Sequence, residues 1–390
     1  MYFHRFYRLV FPVTILSAFS ATLYRFMGSG PLWPYQASFT EEKCKSYWWT
    51  NVLFINNLYP WELKDECVGW LWYLANDMQF FLLMPLFLFL YRRNRVLGYV
   101  GVFVVLLLNV VYSIAVTYAH DVNISPILET DVNYFIINKY TDYLYVRPWA
   151  RIGAYMVGLA FGFMYFEFKN RDRYQQLKYS FGARFFSRVD RAHAFRRALF
   201  VLGAALTFVI VFSQHDAYKC QGTCWNTSQN AFYNGLSRVL FVLGMALATA
   251  GALVGHNSFL QTLLGGDVWE VFSRLNYSVY MIHMYVFYWY YYTSRQALTI
   301  QASYIMWAYF ACVIVAYVLA FPFTLICEAP FLQLEKLVLF APRKVGTAYT
   351  FVSQELDPRY SNRVADPSSE KLLGNGGFSS SSVPPTKLYY

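Results

Sequence analysis

The chain has 390 residues, 57% of them hydrophobic, 21% aromatic and only 14% charged. A soluble domain is nearer a quarter charged, so this composition excludes an ordinary soluble globule and points to a membrane protein. The formal net charge of +10 would raise nucleic acid as a partner in a soluble protein; in a membrane protein it reports topology and contact with anionic lipid heads, so membrane lipids, not nucleic acid, are the expected partners.

Crossing the hydrocarbon takes about 20 apolar residues in a helix. Eight such runs occur, at 9–27, 71–90, 98–118, 149–166, 198–213, 235–254, 275–292 and 305–327. The runs at 149–166 and 198–213 are short and leave open a partly sunken position. His4-Arg5-Phe6-Tyr7-Arg8 leads straight into the first run, which reads as an uncleaved anchor. The expected fold is therefore all-α, a polytopic membrane bundle of about eight transmembrane helices. The 35 Tyr, 36 Phe and 11 Trp suit the boundary between lipid and water.

Orientation follows from the basic residues. Segments 1–8, 91–97, 167–197, 255–274 and 328–390 carry 22 of the 32 Lys and Arg, against 7 in the opposite loops. Both termini are expected to be cytoplasmic. Residues 1–340 read as the membrane domain. The Ser-, Gly- and Pro-rich stretch 341–390 reads as a disordered cytoplasmic tail. Cys44, Cys67, Cys220 and Cys224 all fall in far-side loops, which fits an oxidising compartment. Three pairings are possible; Cys44–Cys67 and Cys220–Cys224 are favoured because each closes within one loop. Sequons at Asn123 and Asn226 lie on the same side, with Pro126 close behind the first. Asn276 fits the same pattern inside a span and is read as unmodified. The compartments this permits are the endoplasmic reticulum and the plasma membrane.

An ionisable side chain in mid-bilayer costs about 2.5–3.5 kcal/mol on insertion scales and needs partners or water. Asp77, Arg151, Arg238, Arg274 and Glu328 are the candidates for a polar interior. Asp77 is placed about 9 Å inside the far edge of its span, with Arg151 and Arg238 in the same half. Arg8, Arg274 and Glu328 fall near the cytoplasmic ends, and His283 lies between the two groups. Each has a plainer reading: snorkelling for Arg151 and Arg238, a structural Asp77–Arg151 ion pair, a stop signal at Arg8, a helix end closed by Pro330 at Glu328, and a hydrogen bond to a neighbouring helix for His283. Trp48-Trp49 and Asn56-Asn57 read as interfacial anchors in a far-side loop, with a substrate lid as the sharper alternative. Arg184, Arg188, Arg191, Arg196 and Arg197 read as contacts to anionic lipid, with attraction of a phosphorylated cosubstrate as the alternative.

Gly28-Ser29-Gly30-Pro31-Leu32-Trp33, Trp48-Trp49, Ile55-Asn56-Asn57-Leu58, Cys67 and the run from Trp72 to Phe80 follow in one order. With Arg147-Pro148-Trp149-Ala150-Arg151-Ile152-Gly153, SRLNYSVYMIH at 273–283 and Glu328-Ala329-Pro330, this series resembles the "nose resistant to fluoxetine" proteins. These are the animal branch of the membrane acyltransferase-3 superfamily. The resemblance implies a bundle of about ten spans. It also implies transfer of an acyl group from a cytosolic thioester, with acyl-CoA as cosubstrate, to a hydroxyl acceptor. Arg5-Phe6-Tyr7-Arg8 looks like the family's RxxR motif, which implies that Arg5 and Arg8 hold the donor; the guanidinium fork suits phosphate. His283 matches the histidine that closes the SYxxYLxH-like motif. The family's usual base lies in a first span two spans before RxxR. The chain is therefore expected to be a shortened member lacking the N-terminal domain and those two spans.

Acyl transfer needs a base for the hydroxyl proton, donors for the oxyanion and a dry meeting place. His283 is the histidine in mid-span and is the candidate catalytic residue. The alternative is a non-catalytic carrier of lipids or small hydrophobes.

Overall fold

The computed structural model describes residues 2–125, 139–220, 224–256, 262–263, 265–296 and 301–339. The expected tail 341–390 lies outside them. The chain divides into two compact units, 1–333 and 334–390. Of the second, only the end of one helix is described.

The first unit is built on helices α1 (Tyr2–Thr22), α2 (Trp33–Val52), α3 (Trp72–Arg93), α4 (Arg95–His120), α5 (Pro148–Lys169), α6 (Phe181–Arg191), α7 (His193–Phe212), α8 (His215–Lys219), α9 (Thr227–Leu253), α10 (Asp267–Tyr292) and α11 (Ala302–Phe323). A π-helical turn, Thr324–Glu328, carries α11 directly into α12 (Ala329–Leu339). No strand occurs among the described residues. Each of the eight apolar runs falls mainly on a long helix, the first passing the end of α1 at Thr22 into a 3-10 turn, Tyr24–Met27. Five stretches (Gly69–Arg93, Arg95–His120, His193–Lys219, Thr227–Leu253 and Ala302–Glu335) are long and apolar enough to cross a membrane by length and composition alone. The runs that looked short belong to helices of 22 and 20 residues.

The bundle carries apolar side chains on its surface as well as in its core, with polar groups buried among them. Val201, Leu202, Phe208 and Val209 on α7 and Ile305, Trp307, Phe310 and Ile314 on α11 are exposed, while Asn51, Asn57, Asn76, Asn109 and Thr117 are buried. An exposed apolar belt over a polar, hydrogen-bonded interior is what lipid solvent selects. Neighbouring helices pack through small residues, as in membrane bundles. A Cβ on Gly203 of α7 would sit 2.5 Å from the carbonyl oxygen of Gly244 on α9, so this pair stays glycine for backbone approach. On α5, a Cβ at Gly153 would meet Asn109 Oδ1 at 2.3 Å. Keeping that space open lets Asn109 of α4 donate to the Trp149 carbonyl at 2.6 Å.

Two elements differ from the sequence reading. The loop expected over 28–70 contains the 20-residue helix α2, whose mixed polar and aromatic sequence gives no apolar run. The chain also does not end its last helix at Glu328: the π turn and α12 continue it through Pro330, which has no N–H to donate to the preceding turn.

Candidate active site

The site is built where α2 and the segment 53–71 close one end of the bundle formed by α1, α3 and α10. A disulfide joins Cys44 of α2 to Cys67; a second joins Cys220 to Cys224. Asn51 Nδ2 donates to Ser17 Oγ at 3.2 Å and to the Cys67 carbonyl at 2.8 Å, tying α1, α2 and the cap together. Asn57 and Gln79 exchange amide hydrogen bonds at 3.1 and 2.8 Å. Asn57 also donates to Asn76 Oδ1, and Asn76 to the Val146 carbonyl. Asn56 and Asn57 are thus buried structural polar groups, not interfacial anchors.

At the centre of this network lies Arg147, with no exposed side chain. Its guanidinium donates to the carbonyls of Asp142, Asn57 and Trp61 and lies 3.6 Å from the centre of the Trp61 ring. Nearby, Glu66 accepts from Asn56 Nδ2 at 3.2 Å through Oε2, while its Oε1 is buried without a partner. Burial holds Glu66 well above the usual carboxylate range, against the pull of the Asn56 hydrogen bond and the Arg147 charge. Burial likewise raises Asp142 and lowers Arg147. Glu66, Asp142 and Arg147 act as one cluster that sequence reading did not single out. Arg147 was visible only as the start of a motif, and Glu66 stood in the shadow of Cys67.

Glu66 and Asp142 line a cavity of about 790 Å³ with Trp70, Tyr73, Tyr280 and His283. Trp70 clamps α10 to the cap. Its indole N–H donates to the Met281 carbonyl at 3.2 Å, and its own carbonyl accepts from Tyr280. His283 Nδ1 lies 2.7 Å from the Tyr280 carbonyl oxygen. A carbonyl only accepts, so Nδ1 carries the proton and, in the neutral ring, Nε2 keeps its lone pair. This bond is to the histidine's own helix, not to a neighbour.

About 7.5 Å along α10 from His283 lies Ser278, where the second polar group begins. Arg8 donates to Glu328 Oε1 through Nη2 at 2.9 Å and Nε at 3.3 Å. Ser278 donates to Glu328 Oε2 and accepts from Thr324. Arg5 is paired with Asp77 and lies over the Phe81 ring. The expected Asp77–Arg151 pair is therefore replaced by Arg5–Asp77, and the physical reason is depth. The start of α1 packs against α3 and the segment after α2, with Tyr2 on Phe81 and Phe6 on Phe54. The end of α3 at Arg92 lies about 22 Å beyond Asp77 along the helix, and α10 begins about 15 Å before Tyr277. Arg5, Arg8 and Glu328 thus sit within the thickness of the bundle instead of at its edge.

Arg274 also departs from the expectation of a polar interior: it is exposed and paired with Glu270 on the same helix. Arg151 donates through Nε to the Tyr145 carbonyl, and Arg238 donates to the Ala150 carbonyl and the Tyr140 hydroxyl. Asn226 caps α9, accepting from Gln229 N at 2.9 Å, and the Asn123 carbonyl accepts from Asn234. Between α1, α10 and α11, a separate apolar cavity of about 530 Å³ is lined by Leu16, Phe19, Ile282, Val286, Leu319 and Cys327 among others.

Two comparisons fit this arrangement. Residues 1–327 match the acyltransferase domain family, acyltransferase 3. The chain is 23% identical over 372 residues to nose resistant to fluoxetine protein 6 of Caenorhabditis elegans, covering 94% of this chain and 43% of that protein. It is 23% identical over 290 residues to the regulator of hypoxia-inducible factor 1 of the same organism, covering 69% of this chain and 52% of that one. It thus spans about half the length, or less, of these curated relatives. No solved structure matches it. A family match over most of the chain, joined to a helical bundle with an exposed apolar surface, leads to one conclusion: the chain belongs to the acyltransferase-3 family of integral membrane acyltransferase-like proteins and is similar to their nose resistant to fluoxetine branch.

Proposed function

We propose that the chain transfers an acyl group from a cytosolic thioester, with acyl-CoA as cosubstrate, to a hydroxyl acceptor that enters the disulfide-capped cavity. The observation that carries this reading is the arrangement along α10. His283 lines the cavity with its Nε2 lone pair free of the helix, and the Arg8–Glu328 pair lies about 7.5 Å below. Nε2 takes the acceptor's proton as its oxygen attacks the thioester carbonyl. The tetrahedral intermediate then collapses, the carbon–sulfur bond breaks, and the departing thiolate takes the proton back from the imidazolium. A positioned base of this kind contributes about 10²–10⁴-fold. Arg5 and Arg8 hold the phosphorylated donor. The apolar cavity beside α1 and α11 receives the acyl chain. The far-side disulfides favour a membrane facing an oxidising compartment, endoplasmic reticulum or cell surface.

That apolar cavity also favours a second reading, a non-catalytic carrier of lipids or small hydrophobes. Purified protein with labelled acyl-CoA and a lipid alcohol separates the two. Acyl transfer reduced at least a hundredfold by His283→Ala, with donor binding intact, supports the transferase. Lipid binding without donor binding, unaffected by removal of Arg5 and Arg8, replaces it with the carrier. Transfer unchanged in His283→Ala removes His283 from the chemistry.

A further inference from the structure

The arginines of the interior are neutralised in different ways. Arg5 faces Asp77 and Arg8 faces Glu328. Arg147 has its three carbonyls and the nearby Asp142 and Glu66. Arg151 and Arg238 have carbonyl contacts but no carboxylate among the described residues. Arg151 uses Nε on the Tyr145 carbonyl at 2.6 Å, with its guanidinium 4.9 Å over Trp72 and 4.7 Å over Tyr145. Arg238 donates at 3.1 Å to the Ala150 carbonyl and at 3.1 Å to the Tyr140 hydroxyl. Among the described residues neither has a carboxylate partner, and the Arg238 contact to the Ala150 carbonyl sets it beside the residue that precedes Arg151.

Three further features point the same way. Arg151 is half-buried, and its Nη groups have no acceptor among the described residues. Arg151 stands in the first turn of α5, where the helix end is already positive; no acid occupies that turn and no side chain caps it. The walls are Trp72, Tyr140 and Tyr145, rings of the kind that gather at headgroup level. Beside one helix N-terminus, two guanidinium forks that meet no carboxylate among the described residues make a receptor for an anion.

We infer that Arg151 and Arg238 together bind a phosphate group. A tetrahedral anion accepts from both forks at once, in two charge-assisted contacts. The site is distinct from the Arg5–Arg8 group and does not depend on acyl transfer. Its phosphate comes either from a phospholipid headgroup or from free phosphate.

The test uses the full chain purified in an uncharged detergent. Thermal unfolding is followed against dioctanoyl phosphatidic acid, dioctanoylglycerol as the phosphate-free control, and inorganic phosphate at matched ionic strength. A saturable rise in Tm with phosphatidic acid but not dioctanoylglycerol is expected. Apparent affinity should fall at least tenfold in Arg151→Gln and in Arg238→Gln, and stay unchanged in Lys45→Gln, an exposed lysine of α2 paired with Glu41. A response to the lipid alone assigns a headgroup; an equal response to inorganic phosphate assigns free phosphate. If the Gln variants do not fold, Arg151→Lys and Arg238→Lys keep the charge and lose the fork, and a several-fold loss is expected. No saturable response in the wild type, or an equal response in the site variants, overturns the inference.

Discussion

Arg8 has two roles to separate, an ion pair within the bundle and a contact to the donor, and a double-mutant cycle with Glu328 separates them. Their closest atoms are 2.9 Å apart, Glu328 is 4% exposed and Arg8 47%. At an effective dielectric of about 20 the bare attraction is about 6 kcal/mol. Desolvating Glu328 offsets much of that, and the exposed half of Arg8 is screened, so the net coupling expected is about 1–3 kcal/mol. Arg8→Met strands a buried carboxylate and should cost about 3 kcal/mol, in the lower part of the range for breaking buried pairs. Glu328→Gln keeps a hydrogen-bonding partner for Ser278 and should cost less. The double variant should then be more stable than the sum of the singles allows, by the coupling. Unfolding by SDS in mixed micelles measures all four corners. The same four proteins are tested for binding of a thioester donor. Arg8→Met should lose it, and the double variant should regain stability without regaining donor binding. A coupling below about 0.5 kcal/mol, within the error of independent sites, would refute the ion pair as a stabilising element. Donor binding restored in the double variant would show that Arg8 acts only through the fold.

Two further predictions concern the cap. The folded-state pKa of Glu66 is raised by burial, so its contribution is fully present below the unfolded value of about 4.3 and is lost as pH rises through the folded value, at about 1.4 kcal/mol per pH unit in that window. Glu66→Gln should therefore flatten the fall of stability with rising pH, and unfolding midpoints that follow the wild-type slope would rule this out. Arg147→Leu uncovers three carbonyls and removes the charge beside Asp142 and Glu66, a loss of about 3–5 kcal/mol. Arg147→Lys, which lacks the fork, should recover only part of it, and a midpoint within error of wild type for either variant contradicts the central role of Arg147.

The helices were legible because lipid imposes a simple rule: a run of apolar residues long enough to cross must close its own backbone hydrogen bonds. That rule finds α3, α4, α7, α9 and α11 from composition alone. It misses α2, where Thr40-Glu41-Glu42-Lys43-Cys44-Lys45 is too polar to be a span. This helix is held by the Cys44–Cys67 disulfide and by Asn51, not by an apolar stripe. The loop cysteines were informative for a related reason, since chain separation limits which pairs close easily. The Asn56–Asn57 network was not, because an exposed Asn pair and a buried one look alike until Gln79, Asn76 and Arg147 are known to surround them.

The charged interior was legible in its members but not in its pairings. Counting residues inward from an assumed edge put Asp77 beside Arg151 and left Arg8 at the surface. The structure sets the first turn of α1 against Phe81 and Asp77, and that one displacement re-sorts every partner. Arg5 takes Asp77, Arg8 takes the Glu328 that a continuous last helix carries inward, and Arg151 is left without a carboxylate among the described residues. Depth in a bundle is set by which helices pack level with each other. Arg5 and Asp77 are 72 residues apart, and Arg8 and Glu328 are 320 apart. No local pattern encodes such a meeting. The cost of an unpaired charge in lipid then makes the leftover arginines the informative ones, because among the described residues Arg151 and Arg238 meet carbonyls, a hydroxyl and aromatic rings but no carboxylate.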